Sequence, residues 1–151
     1  MNPDNLAHLI YASTATPEFN PADLPTILQK ARRRNAEQSV TGMLLYTSGS
    51  FFQVLEGAEA TLAELFALIS ADPRHKNVTK IIHEPIANRA FGDWTMGYSQ
   101  IDAAELESIE GFSDFFLQSN SLASLPPGRA KKLLAAFSQG RWRARLKEDA
   151  T

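Results

Sequence analysis

No cysteine occurs in the sequence, which excludes disulfides, thiolate nucleophiles and thiolate metal sites. No apolar run approaches the roughly 20 residues needed to span a bilayer. The amino terminus, Met1-Asn2-Pro3-Asp4, lacks the basic and apolar regions of a secretory signal. A cytoplasmic protein without membrane contact is the expectation. Charge of one sign is missing too: 15 Lys and Arg stand against 17 Asp and Glu, a net charge of −2. Such a chain has no global field to recruit nucleic acid. Its His, Asp and Glu residues show no metal-ligand spacing. A glycine-rich dinucleotide fingerprint is also lacking.

What is present suits one domain with a single core in 151 residues. Residues 6–13 read as a strand. In Asn20-Pro21-Ala22-Asp23, Asn20 is placed to cap a helix whose first residue is Pro21. Leu24, Ile27, Leu28 and Ala31 follow at helical spacing, and this helix is expected to end near Arg32-Arg33-Arg34-Asn35. Residues 40–46 and 50–57 form a hairpin around Thr47-Ser48-Gly49-Ser50. Leu62, Leu65, Phe66 and Ile69 mark the inner face of a second helix over 59–71, which Asp72-Pro73 stops. Residues 78–84 and 93–99 read as fourth and fifth strands.

The order strand, helix, strand, strand, helix, strand is the ferredoxin-like plan. The expected fold is therefore α+β, a βαββαβ core with a fifth strand and a C-terminal helical cap. In that cap, Ala130, Leu133, Leu134 and Phe137 form one apolar stripe beyond Pro126-Pro127-Gly128. Residues 1–100 are expected to form the binding domain. Residues 101–151 form a helical extension, packed on the sheet or used for contacts. Within the extension, acidic Asp102–Asp114 precedes seven of the 15 basic residues, between Arg129 and Lys147. This asymmetry points to docking or self-packing.

Two polar residues break the apolar pattern. Alternation puts Phe51, Gln53 and Leu55 on one strand face. A buried primary amide costs free energy unless its oxygen and NH2 find partners. Tyr11 follows His8-Leu9-Ile10 in the first strand, and the two would meet if those strands were neighbours. Singly, each outlier has a plain structural reading. Tyr11 could keep its hydroxyl at the rim, Asn35 could cap a helix, and Gln53 could bond to backbone. Trp94 and Met96 could be packing residues. Arg32, Arg33 and Arg34 could be a solvated basic turn.

Together they resemble a known family. Tyr11, Asn35 ahead of Val40-Thr41-Gly42, the run Phe51-Phe52-Gln53-Val54-Leu55-Glu56-Gly57, Asp72-Pro73-Arg74-His75 and Asp93-Trp94-Thr95-Met96-Gly97 stand in the order seen in BLUF domains. The likeness covers about residues 5–100. It implies a blue-light photoreceptor with FAD, rather than FMN or riboflavin, and no enzymatic turnover. The isoalloxazine ring would lie between the two helices, pressed by Ile27 and Ile69. Asn35 would donate to its C4 carbonyl and accept from N3–H. Gln53 would donate to N5 and share a hydrogen bond with Tyr11. Asp72, Arg74 and His75 would lie near the ribityl chain and phosphates. Arg33, with Arg32 and Arg34, is a candidate neighbour of the diphosphate.

The resemblance also implies a mechanism. Light drives electron and proton transfer from Tyr11 through Gln53 to the flavin, and recombination leaves Gln53 rotated, tautomerised or both. Trp94 or Met96 would take the inward position and relay the change through the fifth strand. Since 151 residues hold no further cyclase, phosphodiesterase or kinase, the expected output is a changed contact with a downstream protein. A homo-oligomer is also expected. Phe112, Phe115, Phe116 and Leu117 either form that contact surface or pack against the sheet. The rivals are a flavin-dependent redox enzyme and a flavin-free ferredoxin-like interaction module, which the colour of the purified protein separates.

Overall fold

The computed structural model describes residues 5–47, 49–92, 95–100, 105 and 127–137. Its elements are β1 (Leu6–Ala15), a 3-10 turn (Pro21–Asp23), α1 (Leu24–Gln38), β2 (Thr41–Thr47) and β3 (Ser50–Ala58). There follow α2 (Glu59–Ser70), β4 (His75–Pro85), β5 (Gly97–Gln100) and α3 (Pro127–Phe137). The strand order is β4-β1-β3-β2-β5. Neighbours are antiparallel except β2 and β5, which run parallel. This is the ferredoxin-like arrangement with one strand added beside β2.

Alternation sorts the core into two layers. On one face Leu9, Tyr11, Phe51 and Leu55 pack under α1 and α2, with Leu24, Leu28, Leu62 and Leu65 closing over them. On the other, Ile10, Ala12, Phe52 and Val54 meet Ala130, Leu133 and Phe137 of α3. The central β3 is buried at every residue from Ser50 to Gly57. Covered on both faces, it tolerates apolar side chains in both registers, which is why Phe51-Phe52 and Val54-Leu55 stand side by side.

The hairpin closes on the paired Thr47 and Ser50. Gly49 has φ +77, a backbone that glycine adopts without steric cost. Gly42 answers a different need, because a Cβ there would stand 1.9 Å from the Val54 carbonyl oxygen. Gly42→Ala is therefore expected to destabilise the protein by about 3 kcal/mol, as overpacking against fixed backbone does. A urea melt that matches the parent would refute this.

Several boundaries differ from the expected ones. The Asn20 side chain accepts from the Ala22 N–H at 3.0 Å, but it starts the 3-10 turn. The α-helix proper begins at Leu24, with Pro25 in its first turn. That helix also runs past Asn35 to Gln38 and ends on Ser39, whose φ of 58 is left-handed. Asn35 is thus a buried residue of the last turn, not its cap. The fifth strand is shorter than expected, so Met96 sits in the bend before it. Trp94, Phe112, Phe115, Phe116 and Leu117 lie outside the described residues.

Candidate functional site

The site begins with register. Tyr11 of β1 stands directly opposite Gln53 of β3. Both point toward α1 and α2, and both are buried. The Tyr11 hydroxyl donates to Gln53 Oε1, so each outlier satisfies the other. Gln53 Nε2 donates to the Met96 sulfur at 3.3 Å. Thioether sulfur is a weak acceptor, so the amide has one firm partner and one soft one. Burial pushes the Tyr11 phenol well above its ordinary pKa; Arg34 offsets part of this and Asp72 adds to it. The phenol is accordingly a neutral donor throughout the physiological range.

Above this pair lies a cavity of about 400 Å³, within the range of roughly 300–1,000 Å³ usual for small-molecule sites. Ile27 of α1 and Ile69 of α2 line it, over a floor that includes Tyr11, Gln53 and Met96. Arg34, Asp72, Arg74 and His75 also line it. A lining of apolar and polar side chains suits a flat conjugated ring with polar edges. Two polar atoms of consecutive residues near the end of α1 are also open. Arg34 Nε and Asn35 Oδ1 are buried without a hydrogen-bond partner among the described residues. A buried donor and a buried acceptor left open each call for a partner; Arg34 lines the cavity, whereas Asn35 lies outside its lining. The pyrimidine edge of a flavin offers both an acceptor and a donor.

Not every expected site residue holds its expected place. Arg33 is exposed on α1 and does not line the cavity. The arginine of this run that lines the cavity is Arg34, which stands seven residues after Ile27 and so shares its helix face. Helical spacing from Ile27 was the signal that could have found it. Asn35 is fully buried, and its Nδ2 donates to the Thr95 carbonyl at 2.7 Å. One of its two amide hydrogens is thus spent on the protein, which leaves Oδ1 as the open atom.

Asp72 and Arg74 bind each other. Arg74 Nε lies 2.9 and 3.1 Å from the two carboxylate oxygens, and the Arg74 backbone N–H donates to Oδ1 at 2.9 Å. The Arg74 side chain holds the Asp72 carboxyl below the usual carboxylate range. His75 uses both ring nitrogens. The Ile69 carbonyl can only accept, so Nε2, at 2.6 Å, carries the proton. Ser13 Oγ lies within hydrogen-bond distance of Nδ1, at 2.8 Å. The imidazole stands edge-on to Tyr11, with ring centroids 6.2 Å apart, and braces the phenol.

Glu56 stands in the run Phe51–Gly57 with no role assigned to it by the sequence. It is wholly buried. Its carboxylate accepts from Thr41 Oγ1 at 2.8 Å, the Ala90 N–H at 2.6 Å and the Phe91 N–H at 3.1 Å. Arg89 adds bonds to Thr41 Oγ1, Glu56 O and Ser39 O at 2.8–2.9 Å. The signal in the sequence was a carboxylate ending an apolar run. Together these bonds fasten the connection between β4 and β5 to the end of α1. Glu56→Gln trades an acceptor oxygen for a donor facing N–H groups. It is expected to cost about 1–3 kcal/mol, measured as a lowered urea midpoint; an unchanged midpoint would contradict the clamp.

Among the described residues no helix is long and apolar enough to cross a membrane. Nor, among them, do three His, Asp or Glu side chains gather as metal ligands.

Comparison with known proteins agrees with this geometry. A curated relative, photoactivated adenylate cyclase subunit beta of Euglena longa, is 45% identical over 101 residues, 66% of this chain and 12% of that subunit. The subunit alpha of Euglena gracilis is 42% identical over 99 residues, 64% of this chain and 10% of that protein. The chain thus matches about an eighth or less of these relatives. BlsA in its photo-activated state superposes with a TM-score of 0.80 at 27% identity, covering 95% of this chain and 99% of that one. The dark-state BLUF protein BlrB gives 0.66 at 32% identity over 89% and 98%. The family profile described as BLUF, sensors of blue-light using FAD, matches residues 6–97. With that match over more than half of its length, and the buried Tyr11–Gln53 pair on the floor of the cavity, the chain belongs to the BLUF family.

Proposed function

We propose that this chain stores the absorption of blue light as a rearranged hydrogen bond at Gln53, with FAD seated between α1 and α2. The observation that carries the reading is the buried bond from the Tyr11 hydroxyl to Gln53 Oε1. Ile27 and Ile69 would hold the two faces of the ring, and Gln53, Asn35 and Arg34 its polar edge. Asp72, Arg74 and His75 would line the way to the ribityl chain. When bound and excited, a flavin supplies an oxidant able to take an electron from a phenol.

The residues do the rest. A phenol that loses an electron becomes strongly acidic, and the Tyr11 proton already points at Gln53 Oε1. Proton movement therefore follows the existing bond. Once the electron and proton are restored, no net charge remains. The change lies in which amide atoms face Tyr11 and Met96. In the turned amide, Nε2 leaves the Met96 sulfur, and Oε1 in its place meets an atom with no hydrogen to give. The bond at 3.3 Å is lost, and the segment before β5 registers the event.

The role is sensing rather than substrate turnover, with output to a downstream protein partner and self-association as a further element. The match to part of a photoactivated adenylate cyclase subunit supports an effector reached through this domain. Asn35→Ala is expected to weaken FAD retention about tenfold, near 1.4 kcal/mol, in a titration of apoprotein; equal affinity would remove Asn35 from the ring edge. The reading as a whole rests on a difference spectrum. Purified protein should be yellow, shift reversibly to the red under blue light and relax in darkness. Bound flavin without that shift would overturn it.

A further inference from the structure

The segment carrying Met96 is held by α1 through two residues three positions apart. Arg32 Nε donates to the Met96 carbonyl at 2.9 Å. Asn35 Nδ2 donates to the adjacent Thr95 carbonyl at 2.7 Å. Residues at i and i+3 share one helix face, so a single face of α1 grips two consecutive peptide oxygens. From the same Met96 the side chain reaches Gln53 Nε2 at 3.3 Å. One end of this residue thus reads the amide, while the other is tied to a cationic donor. Guanidinium-to-carbonyl bonds are charge-assisted and stronger than neutral ones. The sulfur contact is weak, so sulfur and amide meet only where the backbone already places them.

From this geometry we infer that Arg32 is a positioning residue of the light switch: it holds the Met96 carbonyl, and with it the thioether against Gln53, and its bond lengthens when the amide turns. The inference rests on the amide switch proposed above. In darkness the tie pre-places the sulfur on Nε2, and the two bonds support each other. After the amide turns, the sulfur contact is gone and the backbone of Met96 can shift away from α1. Return to the dark arrangement needs the sulfur back at the amide, and Arg32 shortens that search. Arg34, two residues on, faces the cavity instead. The basic run therefore divides its work, with Arg32 on the relay and Arg34 on the ligand.

The test uses the whole chain with FAD bound and its methionines carrying 13C at the carbonyl. The Met96 band is identified by its loss from the carbonyl-labelled set in Met96→Leu. In the wild type, illumination should move this band to higher frequency as its hydrogen bond lengthens. Arg32→Ala, compared at matched flavin occupancy, should place the band there already in darkness and slow dark recovery about tenfold, near 1.4 kcal/mol of barrier. A Met96 band unmoved by light in the wild type overturns the proposal without any variant. So does an Arg32→Ala protein whose band and recovery match the wild type. Absence of any visible red shift in the wild type would instead overturn the underlying amide switch.

Discussion

Tyr11→Phe is expected to purify yellow, with FAD bound at near parental affinity, and to lose its light-induced red shift. The ring and its edge contact with His75 are retained, so the cavity keeps its floor. What disappears is the phenolic proton on the line to Gln53 Oε1 and the electron donor beneath the ring. A positioned proton donor contributes about 100- to 10,000-fold to such a step, so the yield of the shifted form should fall by about 100-fold or more. Stability should drop modestly, because a buried amide oxygen left without a donor costs about 1–3 kcal/mol. The decisive measurement is the visible difference spectrum at matched flavin occupancy. A normal shift in this variant would mean that Tyr11 is a packing residue and that the electron comes from elsewhere.

Gln53→Leu should be as severe and differ in one informative respect. Leucine fills much of the same volume but offers neither an acceptor to Tyr11 nor a donor to Met96. Tyr11 remains in place, so light should still quench the excited flavin by electron transfer. No amide is left to record the event, and the red-shifted form should be absent. The two variants thus separate donation from storage: ultrafast emission decay stays short in Gln53→Leu and lengthens in Tyr11→Phe. If Gln53→Leu kept the full shift, the hydrogen-bond record would have to lie outside this amide. Its folding free energy should change by no more than about 1–2 kcal/mol, since the lost bond is partly offset by added apolar burial.

Much of this was legible in the chain. Alternation at Phe51-Gln53-Leu55 placed the amide on a buried face, and the Tyr11–Gln53 contact, conditional on β1 lying beside β3, follows from the observed pairing of those strands. The helix faces carrying Ile27 and Ile69 followed from their spacing. The misses have physical causes. Three consecutive arginines look equivalent in one dimension, and only the rotation of α1 about its axis separates exposed Arg33 from Arg34. Asp72 and Arg74 do line the cavity, and what went unread was the ion pair they form with each other two residues apart. Asn35 looked terminal because helix ends are set by backbone conformation, here the left-handed Ser39, rather than by polarity. The work of Glu56 was hidden because its partners lie more than 30 residues ahead, at Ala90 and Phe91.

One sheet carries both apolar layers. The strand that presents Tyr11 upward presents Ile10 and Ala12 downward to α3. His8 on that strand reaches Glu84 at 2.9 Å, and Glu84 reaches Lys131 of α3 at 3.3 Å. A partition one peptide thick cannot bulge into one compartment without withdrawing from the other. Any flexing of β1 or β3 beneath the chromophore is thereby felt by the helix on the far side, as a drumhead struck from above moves the air below.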